Sequence, residues 1–290
     1  PHHAAKEYIK TLIELGKKVA ICEQLEDPKL TKGMVKRDVV QVLTPGTYTE
    51  YQAQNQNHYL VSILPLVGKR FALSYVDVST GELKVTQLEN LEEVRSECSS
   101  LMCREVVLVE SDVTEELRHL FTSMQILIST IEKDEINAED CTDLVSELED
   151  EASIRCVQNL LSYLKLTQKR SFSHLQKAQA YQSEFYLSMN YETKRNLELT
   201  TTIRANQKHG SLFWFLDETQ TAMGGRLLKQ WLEKPLVLEG AIQKRHALVE
   251  TLNQHYFERT DFIETLKRVY DLERIVGKVA FGTANARDLL

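Results

Sequence analysis

Asp77 and Glu82 have the strongest claim to chemistry in this 290-residue chain. They flank the turn Val78-Ser79-Thr80-Gly81 between two strand-like runs, and a carboxylate on the first strand of a mixed sheet can hold magnesium in two-metal nucleases. Such a centre needs further carboxylates converging from other strands. The later strand-like runs, 106–109 and 125–131, supply only the flanking Glu110 and Glu132, so turn capping is the favoured role for Asp77 and Glu82. Gly224-Gly225-Arg226 has the composition of a phosphate cradle, but it lies in a helical pattern with no strand before it, which favours close helix packing. Neither a Gly-x-x-x-x-Gly-Lys-Ser/Thr loop nor a Gly-x-Ser-x-Gly elbow occurs. The eight histidines show no His-x-x-x-His spacing. The five cysteines (Cys22, Cys98, Cys103, Cys141, Cys156) show no Cys-x-x-Cys spacing, which points to reduced structural thiols rather than a zinc site or disulfide framework. No residue is assigned to catalysis, to a cofactor or to a metal.

Binding chemistry has two candidate segments. Lys36-Arg37, ahead of the β-branched run 39–43, could aim cations at phosphates from a strand edge, although a solvated loop also accommodates them. Residues 166–174, with Lys169, Arg170 and three hydroxyl side chains, are equally open.

The elements that would position these residues fall into three stretches. The first reads as a helix with Ala4, Tyr8, Leu12 and Leu15 on one face, ended by Gly16. Strands follow at 18–25 and 39–43, around a polar loop with Pro28 and Gly33, stopping at Thr44-Pro45-Gly46-Thr47. Two strands and one helix cannot close a core. From about residue 57 an α/β pattern begins, with strands at 59–64, 70–78 and 83–88, then helix 92–102, strand 106–109, helix 114–121 and strand 125–131. The acidic stretch 132–151 reads as a linker or mobile lobe too polar to bury much. Beyond residue 152 the pattern is helical, with stripes at Val157, Leu160, Leu161 and Leu164, at Leu227, Leu228, Trp231 and Leu232, and at Phe262, Leu266, Val269 and Tyr270. A short strand-like break at 185–189 precedes a helix starting near Glu192.

With 42% hydrophobic and 27% charged residues the composition is that of an ordinary globular protein, and no apolar run approaches the length of a membrane span. Lys and Arg number 8 against 7 Asp and Glu over 1–50, 8 against 21 over 51–155, and 19 against 14 over 156–290. That profile excludes a uniformly basic nucleic-acid binder and leaves DNA contact to the ends of the chain, with the acidic middle facing a protein. The first residue is Pro1, so the chain reads as cut from something longer.

Several local words, in order, resemble the MutS family. Pro1-His2-His3-Ala4, Lys18-Val19-Ala20-Ile21-Cys22-Glu23-Gln24, Lys32-Gly33-x-Val35-Lys36-Arg37 and Val40-x-x-x-Thr44-Pro45-Gly46-Thr47 resemble the second half of its mismatch-recognition domain. Asp77-Val78-Ser79-Thr80-Gly81-Glu82 resembles its connector domain. Thr193-x-x-Asn196-Leu197-Glu198-Leu199, the run from Ser211 through Met223-Gly224-Gly225-Arg226 to Pro235-Leu236, Asp271-Leu272-Glu273-Arg274 and Ala284-Asn285-x-x-Asp288-Leu289 resemble its helical core. The resemblance implies a multidomain α+β protein. A partial α/β mismatch-recognition domain spans 1–50, a ribonuclease-H-like, non-catalytic α/β connector 51–150, and the start of an all-α core/lever 151–290. It places the family's Phe-x-Glu wedge before Pro1, and the clamp, most of the lever and the ATPase after Leu290. ATP and magnesium therefore belong to the full-length family protein and no cofactor to these residues. The implied partners are mismatched double-stranded DNA, a MutL homologue and a second MutS copy, in a cytoplasmic, nucleoid-associated protein without a membrane anchor. His2, His3, Lys36, Arg37 and Gln41 are the residues this likeness puts near the DNA backbone. The competing expectation is a metal-dependent, structure-specific nuclease built on the connector sheet.

Overall fold

The structure is a computed structural model that describes residues 4–26, 34–48, 57–169, 172–182, 185–187 and 189–289. The opening unit comprises helix α1 (Ala5–Glu14) and the antiparallel strands β1 (Val19–Gln24) and β2 (Arg37–Leu43), which pair with a bulge between Ile21 and Cys22. Only Ile13 of α1 is buried, and Tyr8 is 70% exposed. As one helix and two strands require, this unit closes no core of its own.

The next unit is a mixed sheet. Strands β3 (Tyr59–Pro65), β4 (Phe71–Asp77) and β5 (Glu82–Leu88) form an antiparallel meander. Helix α2 (Leu91–Ser100), strand β6 (Glu105–Val109), helix α3 (Glu115–Ser123) and strand β7 (Leu127–Ile131) follow, with β6 parallel to β3 and β7 parallel to β6. Asn90 and Thr114 cap α2 and α3 by accepting from the third helical backbone N–H, which marks both helix starts in the sequence. Period-two alternation sorts the strand side chains onto two faces. Tyr59, Val61, Ile63, Val106 and Leu108 pack under α2 and α3. Leu60, Val107 and Val109 face the opposite side.

That opposite side carries two corrections to the sequence reading. Helix α4 (Glu151–Gln168), assigned from its apolar stripe to an all-α bundle, lies across the sheet, with Ser74 Oγ donating to Cys156 O at 3.0 Å and Cys156 Sγ contacting Ser62 O at 3.4 Å. Small Ser62, Ala72 and Ser74 let the helix approach closely, and its Val157, Leu160 and Leu164 are fully buried, each stabilising by about 1.5–3 kcal/mol. Periodicity reveals that a stripe must be buried, not whether a sheet or a helix covers it. The acidic stretch is likewise packed. Cys141, Val145 and Leu148 are buried against the same face, with Ile136 and Leu144 beside them, while Glu132, Glu135, Asp143 and Glu147 are exposed. Strand β8 (Gln179–Ala180) adds to β5, giving the order β7-β6-β3-β4-β5-β8.

The remaining helices are α5 (Tyr191–Asn196), α6 (Leu212–Leu216), α7 (Ala222–Glu233), α8 (Glu239–Gln254), α9 (Tyr256–Leu266), α10 (Leu272–Ala280) and α11 (Ala286–Leu289). The strand-like break appears as an isolated bridge between Tyr186 and Leu236. A closed bundle does not form from these residues. Helices α8 and α9 bury no side chain, and Phe257 is 79% exposed. No helix among the described residues is long and apolar enough to cross a membrane.

Candidate nucleic-acid interface

Strand β2 places the basic pair at the start of the pairing with β1, where Arg37 opposes Gln24. The backbone of Lys36 is held by both partners: its carbonyl accepts from Leu25 N at 2.9 Å, and its N–H donates to Glu26 Oε2 at 3.3 Å. Both cationic side chains are exposed and neither makes an ion pair among the described residues. Two such cations on a fixed strand end suit phosphate contact. His2 and His3 lie outside the described residues. Gln41 does not join Lys36 and Arg37. It is half-buried, and its Nε2 donates to Gln168 Oε1 of α4 at 2.7 Å. The structure sets its carboxamide in a joint between β2 and the end of α4.

That joint is extensive. Gln168 is almost completely buried and donates from Nε2 to Val42 O at 3.0 Å. Lys169 ends α4 in the left-handed region at φ 49°, and its ammonium donates to Val39 O at 2.8 Å. Beyond β2 the chain turns through Thr44 to Tyr48, with Thr44 N donating to Thr47 Oγ1 at 3.0 Å and both threonines buried. Gly46 N donates to Glu105 Oε2 at 2.9 Å. Glu105 is fully buried, and its Oε1 accepts from Ser129 Oγ and from Tyr163 Oη, each at 2.6 Å. Burial, followed by the charge of Glu105 and its hydrogen bond, pushes the Tyr163 phenol above its ordinary range.

The hairpin carrying Asp77 and Glu82 is a second junction. Asp77 is fully buried. Its Oδ1 accepts from Ser79 N at 2.8 Å and Ser79 Oγ at 2.6 Å, and its Oδ2 accepts from His58 N at 3.3 Å. Desolvation raises its carboxyl pKa against the hydrogen bonds from Ser79 and His58. Turn capping, the role favoured from sequence, is the one its oxygens perform. Glu82 pairs with Lys84 at 2.6 Å and accepts from Tyr59 Oη at 3.0 Å and Gln230 Nε2 of α7 at 3.2 Å. Among the described residues no group of three or more His, Cys, Asp or Glu is placed to hold a metal ion.

The same hairpin seats the helices that follow it. A Cβ on Gly277 of α10 would lie 2.6 Å from Ser79 O, and one on Gly81, at φ 79°, would lie 2.4 Å from His174 O. His174 Nε2 is 2.9 Å from Val78 O. From segment 166–174, therefore, Lys169 serves the first junction and His174 the second. Helix α10 is tied to α7 by Arg226, whose Nη1 and Nη2 each donate to Asp271 at 2.7 Å, with Nη2 also 2.6 Å from Glu273 Oε2. Arg226 in the Gly-Gly-Arg word is thus committed to an ion pair. Sequence reasoning missed the roles of Glu105, Gln168 and Arg226. The one available signal was a carboxylate opening the otherwise apolar run of β6.

Elsewhere the sheet and helical units meet through charge. Lys234, just after α7, pairs with Glu97 of α2, which also accepts from Tyr181 Oη at 2.5 Å, and Lys194 of α5 donates to Ser100 Oγ. Desolvation raises the Glu233 carboxyl pKa and lowers that of the Lys194 ammonium. Cavities of about 260 and 360 Å³ lie along this seam.

Comparison with known proteins matches every part of this architecture to one family. Family models described as MutS domain I, MutS domain II and MutS domain III match residues 1–52, 58–176 and 192–290. The whole chain aligns with proteins named DNA mismatch repair protein MutS. Identity is 45% to that of Streptococcus agalactiae, covering 33% of its length, and 46% to that of Listeria innocua, covering 34%. For the protein of Geobacillus thermodenitrificans the identity is 44% over 32% of its length. The chain spans about a third of the length of these relatives. Three domain matches in series and full-length alignment at this identity establish that the chain belongs to the MutS family.

Proposed function

We propose that this chain is the DNA-supporting, signal-relaying part of a mismatch-repair protein and performs no catalysis by itself. In this reading the opening unit is part of a mismatch-recognition domain and presents Lys36 and Arg37, together with His2 and His3, to the DNA backbone. The sheet unit is a connector of ribonuclease-H-like fold whose acidic surface receives a MutL-type partner. ATP and magnesium act elsewhere in a full-length, dimeric protein that resides with the nucleoid. The observation that carries the proposal is a contrast along β2 and the residue before it: Val39, Gln41 and Val42 are fastened to the end of α4, while Lys36 and Arg37 are exposed and make no ion pair among the described residues. A strand held on one side and cationic at its free end is built to meet phosphate from a fixed position. Nothing comparable supports a nuclease: the Asp77 oxygens accept from Ser79 and from the backbone of His58.

Salt dependence of duplex binding tests this reading. The Lys36→Glu/Arg37→Glu variant should bind more weakly, with the slope of log affinity against log salt reduced by up to about 2, close to one unit per lost phosphate contact. An unchanged slope would remove the DNA-side assignment.

A further inference from the structure

Hydrogen bonds hold the opening unit to the sheet unit at two well-separated places. Along β2 the hydrogen bonds engage Gln168 and Lys169 at the end of α4. After β2, the turn is held by Glu105 at the start of β6. A single fixing would leave the unit free to pivot, whereas two define a pose. We propose that Glu105 is a positioning residue: its buried carboxylate sets the orientation of the DNA-side unit on the connector. This rests on reading the opening unit as the DNA side.

The chemistry at Glu105 is poorly explained by sheet stability alone. A buried carboxylate carries a large desolvation cost, and a well-packed apolar side chain would serve a buried strand as well or better. No ion pair to Glu105 forms among the described residues. Two of its three donors, Ser129 and Tyr163, belong to the sheet unit and hold the carboxylate in one orientation. The remaining oxygen points at the backbone N–H of Gly46. Shape reinforces the hydrogen bond. A Cβ on Gly46 would lie 2.6 Å from Leu60 Cδ1 and 3.1 Å from Glu105 Oε2, so a side chain here must displace the turn or its neighbours, through close approach rather than an unusual φ. The Thr44–Thr47 hydroxyl contact at 2.9 Å keeps the turn in the form that presents this N–H.

Amide hydrogen exchange on the chain without DNA tests the proposal from both sides of the contact. Glu105→Val removes the acceptor and retains a strand-favouring side chain; Gly46→Ala displaces the turn and leaves Ser129 and Tyr163 their carboxylate. In both, amides of residues 44–48 and of β2 should exchange about tenfold faster or more, the effect of losing one charge-assisted hydrogen bond, while those of β3, β4 and β5 keep their protection. Glu105→Gln should restore most of the protection, because its carbonyl still accepts from Gly46 and both hydroxyls can accept from its amide. Unchanged protection at 44–48 in Gly46→Ala would overturn the proposal. So would proportional loss throughout β3–β5 in Glu105→Val, or a Gln variant as loose as the Val variant. The DNA-side reading stands or falls separately, on the salt slope of the Lys36/Arg37 variant.

Discussion

Replacing Arg226 by Met removes a guanidinium that is 4% exposed and hydrogen-bonded to both Asp271 and Glu273. Removing one partner of a buried ion pair typically costs about 3–5 kcal/mol, because the other charge is left without compensation. Here Asp271 retains some access to water and Glu273 is 41% exposed, so both can be resolvated and the expected cost falls to about 2–3 kcal/mol. Arg226→Lys keeps the charge and loses the two-pronged geometry, so it should fall between wild type and Met. The pH dependence has a definite sign. Burial alone would raise the Asp271 carboxyl, but the hydrogen bonds and charge of Arg226 hold it below its ordinary value of 3.8. A depressed acid contributes stability above the unfolded-state pKa and loses it as pH falls through the folded one. The difference between wild type and Arg226→Met should therefore be full at neutral pH and shrink in strong acid. Urea unfolding followed by circular dichroism measures the cost, and amide exchange locates it. Because Gly277 seats α10 against Ser79, α10 should lose protection while β3 and β4 keep theirs. A Met variant with the wild-type midpoint, or a loss spread evenly over the sheet, would refute the reasoning.

Three further outcomes follow from the junctions. Burial, then the charges of Arg104, Arg274 and Lys229, push the His58 imidazole down from 6.5 to about 4, so the folded state resists its protonation. Its contribution is intact above pH 6.5 and is lost as pH falls towards 4, at a ceiling of about 3 kcal/mol; urea midpoints of wild type and His58→Gln should diverge only within and below that window. Asp77→Asn leaves one side of the carboxamide unable to accept from Ser79 or His58 and should destabilise by about 1–3 kcal/mol. With magnesium or manganese and branched duplexes, neither wild type nor Asp77→Asn should cut; cleavage lost in Asp77→Asn would restore the nuclease.

Local patterns made much of this fold legible. The meander β3–β5, its Ser79-Thr80-Gly81 turn and the two helices after it follow from rules confined to a few neighbouring residues. What stayed hidden depends on partners distant in sequence. The stripe of α4 could face a helix or a sheet, and the acidic lobe conceals Cys141, Val145 and Leu148 at helix-like spacing among its charges. Gln41 resembles any polar strand residue until Gln168, far along the chain, is seen to meet it. Glu105 draws no notice in the sequence because nothing near it announces Gly46, Ser129 and Tyr163 as donors. Lys36 and Arg37 were the easier residues to single out, because exposed cations carry their chemistry with them.

Under the proposed function, this chain supports the reading of a mismatch without performing it. Base-step insertion by an aromatic side chain is the physical source of mismatch preference. Along β1 and β2 the described side chains include no aromatic. Fluorescence anisotropy of the chain against a G·T duplex and its matched G·C control, at several salt concentrations, puts the claim to the test directly. Equal affinity for the two duplexes, weakening together as salt rises, is the expected result. Tenfold tighter binding to the G·T duplex, about 1.4 kcal/mol, would contradict it.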